Sequence, residues 1–131
     1  MTVRFIAPAA LVLLTIGTLA SVPAQSAEKA KTAKPSASAR IDNGKQVFAK
    51  WCSACHGPNP RLAGTLALQT KYDGAIPAVL EQRTDLTPEI VSAYVRNGVA
   101  WMAPFRKTEI SDAELADLGA YLSSPRKERS K

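Results

Sequence analysis

Apolar positions recur with a helical period through the middle of the chain and lose that period at both ends. Val47, Phe48 and Trp51 make an apolar stripe behind Asp42, a good N-cap residue, which predicts a first helix over 42–51. Gly57 to Gly64, with Pro58 and Pro60, is predicted as a loop. A short helix is expected between Pro77 and Arg83, with Val79 and Leu80 turned inward. Thr87 as N-cap, Pro88 in the first turn and Glu89 at the positive helix end open a stronger helix. Ile90, Val91, Tyr94 and Val95 are its predicted buried face, and Gly98 ends it. Ser111 and Glu114 form a capping box for a last helix, with Leu115, Leu118 and Leu122 on one face and Pro125 as the stop. No strand-like alternation with hairpin signals is visible, so the expected fold class is a small all-α domain.

The two ends read differently. Arg4 precedes an uncharged run from Phe5 to Ala27 that closes on small residues, the pattern of a secretory signal peptide over 1–27 with cleavage after Ala24 or Ala27. A retained membrane anchor is the competing reading, favoured by the length of the run and opposed by Pro8 and Pro23. Residues 28–40 carry no large apolar side chain and are expected to be a disordered linker. Residues 125–131 are expected to be a polar, charged tail, which leaves 41–124 as the folded domain. The formal net charge is +6. The linker and the tail each contribute +3, whereas 41–124 sums to −1. A basic surface for nucleic acid is therefore not expected. The ends could steer encounters, associate with an anionic membrane, or simply be solvated.

The chemistry concentrates in Cys52-Ser53-Ala54-Cys55-His56. C-x-x-C-H is the signature of covalent haem attachment, in which each thiol adds to one vinyl group and the following histidine lies under the iron. Cys52 and Cys55 are the only cysteines and His56 is the only histidine. A redox-active dithiol would want a βαβ context. A zinc site would need a fourth ligand. A plain disulfide would leave His56 without a role. Haem attachment is the reading that uses all three residues. A domain this small is marginal without a staple, and haem would supply the missing core.

Of the two methionines, Met1 lies in the leader and Met102 in the loop from Gly98 to Phe105 between two predicted helices. Met102 is the expected second axial ligand. Two protein ligands leave no open coordination site, and a thioether raises the potential relative to a second histidine. Trp101, Phe105 and Leu62 are expected to line the haem pocket. The Pro60 carbonyl is expected to accept the Nδ1–H of His56. Arg106 and Lys107 flank the distal loop as candidates for pairing with acidic groups of a partner.

With these residues in place, the stretch from Asp42 to Leu122 resembles class I cytochromes c. Gly44 and Phe48 resemble the first-helix half of that fold's helix crossing, and Leu118 and Tyr121 the last-helix half. Pro60-Arg61-Leu62-Ala63-Gly64 resembles its proline-containing support loop. Two departures are a short segment between His56 and Pro60, and Ala103 between Met102 and Pro104. The resemblance implies helices packed around one covalently bound haem c, and export to the periplasm, with membrane association if the leader is retained. Three further stretches (68–72, 80–89 and 105–109) are similar to the cytochrome subunits of 4-cresol dehydrogenase and related alkylphenol or eugenol hydroxylases. That similarity implies an FAD flavoprotein subunit as electron donor, oxidising 4-alkylphenols, with a copper or haem protein downstream. The cytochrome itself would carry no catalytic residue. The rivals are a free periplasmic electron shuttle and an open-site haem enzyme acting on peroxide.

Overall fold

The computed structural model describes residues 35–129. The predicted signal peptide, linker residues 28–34 and the last two positions lie outside the described residues.

The first helix, α1, spans Ala37–Trp51 and so starts before the predicted Asp42 cap. Ser36 is the true cap, its hydroxyl accepting the Ala39 amide at 3.2 Å. Ala37 to Arg40 are thus helical rather than linker. Alanine favours the helix, and Arg40 anchors the turn by donating to the Asp117 carboxylate at 2.8 Å and the Ala116 carbonyl at 3.0 Å. A single turn, α2 (Ser53–His56), follows directly. The next helix, α3 (Ala63–Tyr72), was not predicted: Leu62 caps it without a side-chain bond, and only Thr65, Leu68 and Tyr72 mark its inner face. It closes on Asp73 at φ 46° and Gly74 at φ 81°. The short helix expected before Arg83 is a 3₁₀ turn, Leu80–Gln82.

The two capped helices form as predicted. Thr87 caps α4 (Pro88–Asn97), accepting the Ile90 amide at 3.3 Å. The Ser111–Glu114 box caps α5 (Asp112–Ser123) with reciprocal bonds of 3.2 and 2.8 Å. Of the predicted α4 face, Val91 and Val95 are buried, but Ile90 and Tyr94 stay 39% and 43% exposed. Tyr94 lines an apolar cleft instead of the core. Beyond Pro125 the chain makes one more turn, α6 (Arg126–Arg129). The predicted charged tail is therefore partly docked, with Arg129 buried. Among the described residues there is no strand, only one isolated bridge between Val99 and Met102. The domain is all-α.

The core is a helix crossing. α1 lies across α5, and the Phe48 and Tyr121 rings meet at 5.9 Å between centroids. Leu118 and Ile110 are fully enclosed. On the other side of α5, Gly119 receives Pro88 so closely that an added Cβ would lie 3.0 Å from the Pro88 Cα. At the crossing itself, a Cβ on Gly44 would run into the Asp117 carbonyl and lie 2.6 Å from the Tyr121 Cβ. Backbone cannot yield as a flexible side chain can, so overpacking here separates the helices. Gly44→Ala should cost about 1–3 kcal/mol, read as a lower midpoint of thermal unfolding of the haem-loaded protein. An unchanged midpoint would contradict the crossing.

Candidate functional site

An apolar cleft opens between α2, α3, α4, α5 and the loop that follows α4. Leu80, Leu86, Val91, Val95, Leu118 and Leu122 make most of its wall. Of the residues expected to hold a cofactor, Cys52, His56 and Met102 reach it.

The first two are delivered by the end of α1. The Cys52 amide donates to the Phe48 carbonyl at 2.9 Å, and the His56 amide to the Cys52 carbonyl at 2.8 Å. The helical turn thus continues through the motif and holds Cys52 and His56 toward one volume. Cys55, on the same turn, is exposed and does not line the cleft. Burial pushes the Cys52 thiol up to about 11, with the neighbouring Cys55 adding to the shift. A nucleophilic dithiol needs the opposite, a depressed thiol. Burial also holds His56 below its ordinary value, which keeps the imidazole neutral, the form that ligates a metal. Among the described residues no three His, Cys, Asp or Glu side chains converge as a site for a metal ion alone.

α3 contributes by a missing side chain. A Cβ on Gly64 would lie 2.7 Å from the His56 Nδ1 and 2.6 Å from its Cε1. The glycine therefore lets the helix backbone close over the imidazole edge. Nδ1 is buried with no hydrogen-bond partner among the described residues, so the expected bond to the Pro60 carbonyl is not made. Asn59 turns the loop locally, accepting the Arg61 amide on its side chain at 3.0 Å and the Leu62 amide on its carbonyl at 3.1 Å. That turn leaves Pro60 exposed and brings α3, rather than a loop carbonyl, against the ring.

Met102 is fixed by its own small hairpin. Val99 and Met102 exchange backbone bonds of 2.9 Å in each direction, and Ala100 takes the left-handed turn at φ 48°. Gly98, at φ 68°, has the Pro104 nitrogen 2.9 Å from where a Cβ would sit. The Phe105 amide returns to the Val95 carbonyl at 2.8 Å. Arg96 secures the base of the loop, donating to the Phe105 and Ile110 carbonyls at 3.0 and 2.9 Å. Its part was missed in the sequence, where an arginine in the last turn of a helix reads only as a dipole partner.

None of the other four predicted pocket residues lines the cleft. Trp101 is the second residue of the turn between Val99 and Met102 and is 99% exposed. Phe105 packs edge-on against Trp51 at 5.9 Å. Leu62 lies against Gly57, and Pro60 faces solvent. Arg106 and Lys107 engage their own chain, at 3.5 Å from Glu109 and 2.7 Å from Asp112. The cleft also has one polar corner that the sequence did not reveal, made by Lys71, Tyr72 and Arg83.

An apolar cleft lined by the Cys52 thiol, the His56 imidazole and the Met102 thioether fits a haem. A family model described as cytochrome c oxidase, cbb3-type, subunit III matches residues 39–122. Neither the curated proteins nor the solved structures gave a match. Cytochrome c domains of this kind are electron-transfer haem proteins, and the family binds haem c covalently. On that match, which takes in the helix crossing, the C-x-x-C-H turn and the Met102 hairpin, the chain belongs to the family of c-type cytochrome domains described as cbb3-type cytochrome c oxidase subunit III.

Proposed function

We propose that this protein is an exported electron-transfer cytochrome that holds one haem c on Cys52 and Cys55, with His56 and Met102 as axial ligands. The observation that carries the proposal is the meeting of Cys52, His56 and Met102 on one apolar cleft from distant parts of the chain. Bound haem supplies a one-electron iron couple. His56 offers a neutral ring nitrogen, with Nδ1 enclosed by Gly64 and Nε2 left to ligate. Met102 offers a thioether, which favours the reduced iron. The leucine and valine walls keep water from the site and raise the potential further. Ligation by both His56 and Met102 would leave no open position for peroxide, and the bound group would then serve outer-sphere electron transfer.

The proposed donor is a flavoprotein subunit that oxidises a 4-alkylphenol, supported by the likeness of residues 68–72, 80–89 and 105–109 to cytochrome subunits of that class. A copper or haem protein would accept the electron. Periplasmic location rests on the leader pattern of residues 1–27. No helix among the described residues is long and apolar enough to cross a membrane.

Met102→Ala should leave the haem covalently attached and open the iron to cyanide. It should also lower the potential by a sizeable part of the ~0.8 V that axial ligation spans. An unchanged potential with no cyanide binding would remove Met102 from the site. Native co-purification tests the donor. Flavin and haem spectra eluting together support it, haem alone supports a free shuttle, and additional non-covalent haem with copper supports a place in an oxidase.

A further inference from the structure

The turn that carries Cys55 and His56 ends in carbonyl groups that no helix bond uses. α2 is one turn long and stops at Gly57, whose amide donates to the Ser53 carbonyl at 2.9 Å. The last carbonyls of a helix lack an intrahelical donor, and a buried one left unpaired is costly. Gly57 is buried, and its carbonyl accepts the Thr65 hydroxyl at 2.8 Å. The Cys55 carbonyl lies 3.4 Å from the same hydroxyl. Thr65 is only 2% exposed, so water does not compete for its proton.

Thr65 is the third residue of α3, and its neighbour Gly64 is the residue that lies on the His56 ring. A Cβ at Gly64 would meet the ring and would also lie 2.8 Å from the Cys55 carbonyl. The first turn of α3 is therefore pressed on the imidazole and on the backbone just before it. Two consecutive residues share the task. The Thr65 hydroxyl fastens α3 to the end of α2, and the bare backbone at Gly64 shuts the ring edge away. The His56 Nδ1 is buried and makes no hydrogen bond among the described residues.

We propose that Thr65 is a positioning residue for the proximal ligand: its buried hydroxyl holds the start of α3 against the C-x-x-C-H turn, and the Gly64 backbone then keeps the His56 Nδ1 away from hydrogen-bond acceptors, water included. This rests on the haem assignment above. The consequence is electronic. An acceptor on Nδ1 would make the imidazole a stronger donor through Nε2 and favour ferric iron. Keeping Nδ1 without one favours the reduced iron, in the same sense as thioether ligation by Met102. Thr65 thus acts on the potential through the ring that α3 covers.

The test uses the haem-loaded full chain. Thr65→Val keeps the shape of the side chain and removes the hydroxyl, which leaves the Gly57 carbonyl without its donor. In the diamagnetic reduced protein, NMR should show the His56 Nδ1 proton exchanging slowly with water in the wild type. Thr65→Val should lose that protection and lower the potential, and Thr65→Ser should restore both. The amide protons of α5 should keep their wild-type protection in both variants, which separates local uncovering from general loss of stability. Unchanged Nδ1 exchange or an unchanged potential in Thr65→Val overturns the proposal, as does fast Nδ1 exchange in the wild type. A Thr65→Ser protein that behaves like Thr65→Val overturns it too, since the shape and not the hydroxyl would then be at work. Should Thr65→Val fail to take up haem, the Thr65 hydroxyl proton of the wild type decides. A slowly exchanging signal supports the bond to Gly57, and a hydroxyl in fast exchange with water overturns it. Absence of covalent haem in the wild-type protein is a separate result, and it would overturn the proposed function instead.

Discussion

At Gly44 two helices meet with no side chain between their backbones. With no side chain at Gly44, α1 can rest on the Asp117–Tyr121 stretch of α5. The rest of the site depends on that contact. α1 ends at Trp51, so the angle at which it crosses α5 decides where Cys52 and His56 point. α5 also supplies Leu118 and Leu122 to the cleft and, through Gly119, sets how closely α4 can approach. A shift at Gly44 would therefore move both the proximal turn and the wall facing it. Arg40 reinforces the same joint from the start of α1 through Asp117.

Around this joint the chain divides the work between helices and tethers. The proximal turn is rigid because it continues a helix. The distal hairpin is rigid for a different reason: its two backbone bonds, the left-handed Ala100 and the Arg96 fork to two carbonyls leave Met102 little freedom. A ligand on a tethered loop can be held as firmly as one on a helix, provided the loop's backbone groups are satisfied. α6 is tethered too, Arg129 donating to the Leu122 and Arg83 carbonyls and Arg126 to the Gln82 carbonyl.

Local signals made part of this legible in the sequence. Thr87-Pro88-Glu89 and Ser111 with Glu114 are complete caps, and both helices start where those residues place them. The Gly44–Tyr121 crossing was expected from the family resemblance, and Met102, expected as a ligand, lines the cleft. The failures have physical causes. α3 has no capping side chain and only a sparse inner face, so nothing local announced it. Ser36 outcompeted Asp42 because alanines carried the helix further back. Trp101 and Phe105 are the kind of side chains that usually fill a pocket, but one stands exposed in a two-residue turn and a neighbouring Trp51 takes the other. Pro60 was displaced from the imidazole by a helix that the sequence did not disclose. Arg96 and Arg129 donate to carbonyl groups distant in the chain, and no local pattern marks such partners.

The central claim is an iron held between the His56 imidazole and the Met102 thioether. The near-infrared spectrum of the ferric wild-type protein tests it most directly. A sulfur-to-iron charge-transfer band is the predicted result. A high-spin ferric spectrum without that band would contradict it.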